Sequence, residues 1–175
     1  MPRKHALIFV TITVFLDTMG FGIIMPIMPE YLTHLVGIDL SEASAISGYL
    51  MVSFAVTNFL FSPLLGGLSD SYGRRPILMV SLFFYGVSYL IAGFATALWV
   101  LFIGRFLTGV TSATYATASA LIADVSPPEE RAQNFGLLGL AFGRGFIFGP
   151  TIGGLIGAWD LRAPFFVAAA LAFIN

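Results

Sequence analysis

The amino-acid sequence predicts an all-α polytopic membrane protein, and three observations lead to that fold class. Of the 175 residues, 58% are hydrophobic and 10% are charged, whereas about a quarter of the residues in soluble domains are charged. Several long stretches contain one charged residue or none, and each offers the roughly 20 residues of helix that cross a hydrocarbon core. The third observation is an internal repeat that relates the first three spans to the next three.

The same composition excludes several classes of protein. A mean hydropathy of +0.93 is incompatible with a water-soluble enzyme. The chain has no cysteine, which excludes a secreted disulfide scaffold. Its net charge of −1 and the lack of a basic run exclude a nucleic-acid binder.

Charged and turn residues divide the chain into six apolar stretches. The first follows a short basic segment, as in a signal peptide, but no small-residue cleavage site comes after it, which favours an uncleaved helix. Five stretches are predicted to span the membrane, at residues 5–29, 43–68, 77–94, 99–123 and 132–158. A sixth begins at residue 163 and has 13 residues, which rise roughly 20 Å as a helix. The chain is therefore expected to stop inside a sixth helix.

The polar segments between the spans predict the connections and the orientation. Residues 30–42 form a polar connection, 69–76 a tight turn, 95–98 a short bend and 124–131 a second polar loop. Lysine and arginine concentrate on one side of the membrane, against Arg162 on the other; they are Arg3, Lys4, Arg74, Arg75 and Arg131. Because such residues favour the cytoplasmic side, the amino terminus is expected in the cytoplasm.

An internal repeat connects the ends of spans two and five. The segment Phe61-Ser-Pro-Leu-Leu-Gly-Gly-Leu68 matches Phe148-Gly-Pro-Thr-Ile-Gly-Gly-Leu155 at five of eight positions, with a constant offset of 87 residues. An offset of three spans reverses the direction through the membrane, so the pattern predicts a 3+3 inverted repeat, as in secondary transporters. Such repeats place a site near the midplane, on corresponding spans, and spans one and four carry Asp17 and Arg105.

Asp17 is the first candidate for chemistry because it lies at the middle of the first predicted span. An ionised carboxylate in that position costs at least a few kcal/mol unless it meets a cation or water. A group that gains and loses a proton there suits a proton carrier. The alternative is a structural ion pair with Arg105 or Arg144, and the residues alone leave both open.

Three further positions have two interpretations each. Arg105 heads a face of small and polar residues in span four, which fits either a water-filled cavity wall or close helix packing; the face consists of Thr108, Gly109, Ser112, Ala116 and Ser119. Asn58, midway along span two, fits a packing hydrogen bond or a ligand contact. In the turn 66–76, the charges of Asp70, Arg74 and Arg75 fit a latch between moving bodies or simple topological anchors.

Span five carries glycines at every fourth position, and these predict a helix-packing strip. Gly145, Gly149 and Gly153 recur with Pro150 and Gly154 beside them, a pattern that lets two helices touch backbone to backbone. Arg144 points roughly 140° away from the centre of the strip on a helical wheel. It is therefore expected to face the bundle interior.

Five segments together resemble the major facilitator superfamily. The segment Gly66-x-Leu-Ser-Asp70-x-x-Gly73-Arg74-Arg75-Pro76 resembles the family's loop between helices two and three, and Arg105-x-x-x-Gly109 its fourth-helix motif. Helix five resembles the antiporter signature through Gly145-x-x-x-Gly149-Pro150-x-x-Gly153-Gly154. Two more segments are similar to the tetracycline-efflux group of drug/proton antiporters: Leu16-Asp17-x-x-Gly20-x-Gly22-x-x-x-Pro26-x-x-Pro29 and Asp124-x-x-x-x-Glu129-Glu130-Arg131.

This resemblance implies the amino-terminal six-helix half of a twelve-helix transporter of the bacterial inner membrane. Such a protein exchanges protons for a lipophilic drug such as tetracycline by alternating access, with the bilayer and the missing carboxy-terminal half as partners. Asp17 would handle substrate or proton and Arg105 would couple the proton, while the glycine strip would seal against the other half. The implied gate between the halves comprises Gly66, Asp70, Gly73, Arg74, Arg75, Asp124, Glu129 and Arg131. No cofactor, metal or catalytic residue is expected.

The chain also departs from the family pattern. Tetracycline exporters have an intramembrane aspartate in helix three where this chain has Ser88; Arg144 stands at a usually apolar position, and Ser71 replaces a frequent arginine. These departures leave two alternatives: a major facilitator for a sugar or an anionic metabolite, and a non-transporting half-protein. An intramembrane enzyme is excluded because both histidines lie at or beyond span ends and Asp17 is the one acid inside a span.

Overall fold

The structure is a computed structural model that describes residues 3–112 and 114–175, and these residues are almost entirely helical. Among them, four helices of 20 residues or more are apolar enough to cross a membrane, and so is one segment, Leu98–Val125, that two shorter helices share. The helices in chain order are α1 (Arg3–Ile24), α2 (Met28–Val36), α3 (Leu40–Tyr72), α4 (Arg74–Gly93), α5 (Leu98–Thr111), α6 (Thr114–Val125), α7 (Pro128–Gly157) and α8 (Ala163–Ile174).

Five candidate spans agree with the predicted number. They are α1 from His5, α3, α4, the segment Leu98–Val125 that contains α5 and α6, and α7. Helix α8 has 12 residues and is apolar but short. The protein is therefore an all-α, multi-pass membrane protein.

The packing of these helices follows the predicted repeat. Helix α1, in span one, packs along α7, in span five, and α5, in span four, packs along α3, in span two. The repeat relates span one to span four and span five to span two, so these two helix pairs are equivalent. Helices α4 and α8, the third members of the triplets, pack against each other.

The connection predicted over residues 30–42 contains a helix instead. Helix α2 buries Met28, Tyr31 and Leu32 in the main hydrophobic core, and the Tyr31 hydroxyl donates a 2.9 Å hydrogen bond to the Ala92 carbonyl. The polar residues that suggested a loop, Glu30 and His34, lie on the exposed face of this helix. The prediction of a polar connection is therefore wrong, because the polar residues form the exposed face of an amphipathic helix.

The turn predicted over residues 69–76 is almost entirely helical. Helix α3 continues to Tyr72 and α4 begins at Arg74, so Gly73 alone separates them. Gly73 has a φ of 95°, a conformation that side chains with a Cβ rarely adopt. One glycine is therefore enough to reverse the chain.

The fourth span is divided. Helix α5 ends at Thr111, Ser112 has a non-helical ψ of 88°, and α6 begins at Thr114. Asn58 of α3 donates a 2.7 Å hydrogen bond from Nδ2 to the Ser112 carbonyl, which satisfies a group at the end of α5. The face predicted to run straight from Thr108 to Ser119 is thus interrupted.

Candidate functional site

Asp17 lies in a pocket with aromatic walls. The pocket has a volume of about 190 Å³ and receives residues from α1, α3, α4 and α7; its other lining residues are Thr18, Phe21, Phe54, Tyr85, Phe142 and Phe146. The Oδ1 atom of Asp17 is buried and has no hydrogen-bond partner. Five aromatic rings and one unpartnered carboxylate oxygen therefore line one open pocket.

Asp17 is not at the middle of its helix. Helix α1 ends at Ile24, because the chain turns over residues 25–27 before α2 begins. Asp17 thus lies seven residues, or roughly 10 Å of helical rise, from that end. Within residues 3–112 and 114–175 no ion pair involves Asp17, so neither Arg105 nor Arg144 neutralises it in this conformation.

Two tyrosines beside Asp17 were not singled out in the sequence. Tyr85 and Tyr89 are buried on α4, with their rings edge to face and their centroids 5.4 Å apart. The Tyr89 hydroxyl is buried without a hydrogen-bond partner, and Tyr85 lines the Asp17 pocket. They add hydroxyl groups that can donate to or accept from a ligand at Asp17.

Arg105 occupies a neighbouring pocket. This pocket, also about 190 Å³, lies between α1, α2, α3 and α5, and its walls include Met25, Met28 and Met51. Phe21 lines both pockets, and its ring lies 6.2 Å from that of Phe54. The pocket of the carboxylate and the pocket of the guanidinium therefore share one aromatic side chain.

The small residues beyond Arg105 pack helices against each other. A Cβ added at Gly109 would overlap Thr57 and come within 2.7 Å of the Phe54 carbonyl oxygen. Thr108 is buried against Ser88, whose hydroxyl donates a 2.7 Å hydrogen bond to the Gly104 carbonyl. Ser88 is thus held by α5 and does not line the Asp17 pocket.

The glycine strip of α7 packs against α1 of the same half. A Cβ at Gly145 would lie 2.7 Å from the Phe15 carbonyl oxygen, and one at Gly149 would lie 2.7 Å from that of Met19. Gly153 meets the Ile23 backbone, and Pro150 contacts Gly22, but Gly154 faces open space. Within this half the partner of the strip is therefore α1, and its seal against a second half stays a prediction.

Arg144 points away from the bundle interior, which corrects the orientation expected from the helical wheel. Its side chain is exposed in a groove between α1 and α7. Phe142 and Phe146, on either side of it in sequence, line the Asp17 pocket instead. The interior side of α7 is thus the aromatic one.

Arg74 connects three helix ends at the Gly73 end of the bundle. It forms an ion pair with Asp70 of α3 and donates from Nε to Oδ2 of Asp124 on α6, at 3.1 Å. Its Nη1 also donates to Ser69 at 2.8 Å. The cluster therefore links spans two, three and four.

The other residues of the predicted gate are placed separately. Arg131 of α7 donates to the Ser126 carbonyl at 3.2 Å, and Glu129 lies in the first turn of the same helix. Arg75 lies in a different groove, beside Phe9 and Met79, and Gly66 faces open space. Of the predicted gate residues, the structure thus brings Asp70, Arg74 and Asp124 into contact, whereas Gly66, Arg75, Glu129 and Arg131 lie outside this cluster.

Comparison with known proteins places these features in a family. The family model described as Major Facilitator Superfamily matches residues 10–175. The chain is 43% identical over 175 residues to tetracycline resistance protein, class C, of Escherichia coli, covering all of this chain and 44% of that protein. It is 45% identical over 169 residues to the class G protein of Vibrio anguillarum, covering 97% and 42% of the two chains.

Two more distant relatives also match almost the whole of this chain and less than half of their own length. Multidrug resistance protein 2 of Bacillus subtilis is 33% identical, with 98% of this chain and 42% of that protein covered. The crystal structure of the human organic anion transporter MFSD10 (TETRAN) superimposes with a TM-score of 0.81 at 23% identity, over 99% of this chain and 47% of that one. The chain therefore spans less than half the length of the relatives that it matches.

Proposed function

Since the chain belongs to the Major Facilitator Superfamily, we propose that it forms the amino-terminal half of a proton-coupled exporter of a lipophilic drug such as tetracycline. The half that completes the relatives would supply the opposite wall of the substrate path. The proposed location is the bacterial inner membrane, with the amino terminus in the cytoplasm. The drug and protons are the proposed ligands, with no cofactor and no catalysis.

The observation that carries this proposal is the unpartnered carboxylate oxygen of Asp17 among aromatic side chains. A charged carboxylate in such surroundings is costly unless a proton or a polar ligand neutralises it. The aromatic walls fit the flat, apolar body of a drug, and Asp17 fits a polar group on that drug. A proton and a drug that compete for one carboxylate are thermodynamically coupled.

The alternating movement that export needs is assigned to the Gly73 end of the bundle. The Arg74 cluster joins three helix ends through partly exposed ion pairs, which can break and reform at low cost. In the proposed cycle this cluster closes one side of the path while the Asp17 pocket opens to the other.

The alternative of an anionic metabolite as substrate has less support. That alternative was based on Ser88 and Arg144, and neither residue lines the Asp17 pocket. Arg105 is the cation near the path, in its own pocket lined with methionines.

The test is Asp17→Asn in the complete transporter, with both halves present, measured in everted membrane vesicles. Asparagine keeps the size of the side chain but cannot exchange a proton, so drug-dependent proton movement should fall to the level of vesicles without the protein. The readout is the fluorescence of a pH-sensitive dye after addition of tetracycline. Immunoblotting should find as much Asp17→Asn protein as wild type in the membrane.

Glu42→Gln is the matched control, because Glu42 is an exposed acid in the first turn of α3. It should retain drug-dependent proton movement. Wild-type proton movement in Asp17→Asn would remove Asp17 from the mechanism and overturn the proposal.

A further inference from the structure

The groove that contains Arg144 lies on the side of α1 opposite the Asp17 pocket. Its volume is about 350 Å³, and apolar side chains of α1 and α7 form most of its walls, among them Ile12, Phe15, Leu140 and Phe148. Because Phe142 and Phe146 line the Asp17 pocket, the two spaces open to different sides of the α1–α7 pair. The groove therefore faces away from the proposed substrate path.

Arg144 lies near the middle of α7, far from either end of the helix. It lies 16 residues after Pro128 and 13 before Gly157, which is roughly 24 Å and 20 Å of helical rise. Because α7 is roughly 15 Å longer than the hydrocarbon core, a centred helix leaves Arg144 about 12–17 Å from either edge of the core, and an arginine side chain covers only part of that distance. The facing residues, Thr11 and Phe15, are likewise in the middle part of α1.

Arg144 also has no partner for its charge among residues 3–112 and 114–175. No hydrogen bond or ion pair connects it to another residue, and no acidic side chain lines the groove. The hydroxyl of Thr11 donates to the Leu7 carbonyl of its own helix. A guanidinium in hydrocarbon needs an anionic or strongly polar acceptor, so the groove calls for one from outside the described residues.

We infer that the Arg144 groove is a binding site for a lipophilic anion that enters from the bilayer, namely the carboxylate of a single-chain amphipathic acid. The guanidinium can donate paired N–H hydrogen bonds to both oxygens of a carboxylate. Phe15, Leu140 and Phe148 can hold the apolar chain of the same molecule. A phospholipid does not satisfy this geometry, because its headgroup stays at the surface of a hydrocarbon core about 30 Å thick.

This inference goes beyond drug export and does not depend on it. A long-chain acid crosses the core in its protonated form and can give up the proton beside Arg144. The site requires that α1 and α7 span a bilayer, whatever the Asp17 pocket transports.

The experiment uses the full-length chain in phosphatidylcholine nanodiscs and a photoreactive diazirine analogue of palmitic acid. Cross-linked peptides are identified by mass spectrometry. We expect labelling of the α1 and α7 segments around Phe15 and Phe148, and a decrease of about tenfold or more in Arg144→Leu, the loss of a charge-assisted contact. Arg144→Lys, which keeps the charge, should retain most of the labelling.

Two controls separate charge from general apolar binding. Arg75→Leu removes another arginine that lies beside apolar side chains, in a different groove, and should leave labelling around Phe15 unchanged. The methyl ester of the probe, which cannot ionise, should label wild-type protein as weakly as the acid labels Arg144→Leu. This second comparison needs no variant, so it remains valid if Arg144→Leu does not fold.

Equal labelling by the acid and its methyl ester would overturn the inference, because the groove would then be merely apolar. Equal labelling of wild type and Arg144→Leu would overturn it as well. If wild-type protein is not labelled and α7 instead cross-links to the second half through position 144, a protein helix covers the groove and the inference is wrong.

Discussion

Asp17 and Arg105 stand in separate pockets that share Phe21. Since Asp17 forms no ion pair within residues 3–112 and 114–175, its carboxylate is available to a proton, water or a ligand. Tyr85 lines the Asp17 pocket, and its ring packs edge to face against that of Tyr89. A ligand that displaces Phe21 would open the Asp17 pocket and the Arg105 pocket to each other.

Asn58 allows a prediction at the scale of one residue. In Asn58→Leu, the Ser112 carbonyl loses its donor, and an unsatisfied polar group of this kind costs about 1–3 kcal/mol. We expect the free energy of unfolding in mixed detergent–SDS micelles to fall by that amount, while tetracycline binding to the folded protein stays unchanged.

Ser71→Ala is the control for Asn58→Leu, because the Ser71 hydroxyl bonds within its own exposed helix turn. It should change the unfolding free energy by less than about 0.5 kcal/mol. Unaltered stability of Asn58→Leu together with weakened drug binding would instead make Asn58 a ligand contact.

The sequence was informative about isolated charges and uninformative about aromatic residues. Asp17 could be found because an acid is conspicuous in an apolar stretch. Tyr85 and Phe142 could not, since the chain has 6 tyrosines and 18 phenylalanines spread over all its spans. The direction of Arg144 was wrong because a helical wheel gives angles around α7 but does not say that α1 covers the glycine face.

Helix α7 contains glycines that are packed against α1 and glycines that face open space. Gly153 touches the Ile23 backbone, whereas Gly154 faces open space. We predict that Gly153→Ala separates α1 from α7 and lowers the free energy of unfolding by about 1–3 kcal/mol. In contrast, Gly154→Ala should be neutral or stabilising by up to about 1 kcal/mol, through its higher helix propensity.

Both alanine variants can be measured by SDS-induced unfolding followed by circular dichroism. They add the same methyl group one position apart, so each serves as the control for the other. Similar destabilisation by both would mean that α7 is packed on both faces and would contradict the observed arrangement.

The helix-packing strip could be predicted because its physical cause is local: small side chains at every fourth position let backbones approach. Helix α2 could not be recognised, because its polar face conceals a buried face that depends on contact with the end of α4. The length of the Gly73 connection was also overestimated, since residues such as Asp70 and Arg74 suit a loop and a helix end equally well. Their pairing within the helices becomes visible only once α3 and α6 are adjacent.

The Arg74 cluster supports a prediction for the whole molecule. The Arg74 side chain is 21% exposed and those of Asp70 and Asp124 are 63% and 55% exposed, so water screens the pairs and their contribution to stability is at most about 1 kcal/mol. We expect Arg74→Gln and Asp124→Asn each to slow efflux, with non-additive effects in the double variant, because each removes the same connection between helix ends.

The comparison pair for this cycle is Arg75→Gln with Asp124→Asn. Arg75 lies in a separate groove. The changes in activation free energy for efflux caused by Arg75→Gln and by Asp124→Asn should therefore add in the double variant, within about 0.5 kcal/mol. Strict additivity for Arg74 and Asp124 would mean that the pair acts as two independent charges.

The helices also differ in length in a way that ties this molecule to the thickness of its membrane. Helices α3 and α7 have 33 and 30 residues, whereas α1 and α4 have 22 and 20. The shorter pair rises about 30 Å, close to the hydrocarbon core itself, and the longer pair rises about 45–50 Å. In a bilayer with a core of about 30 Å the short helices are matched, whereas the long ones must lean or protrude. Because Gly73 leaves no slack between α3 and α4, a change in lipid length would be transmitted as a relative rotation of the two helices that hold Arg74.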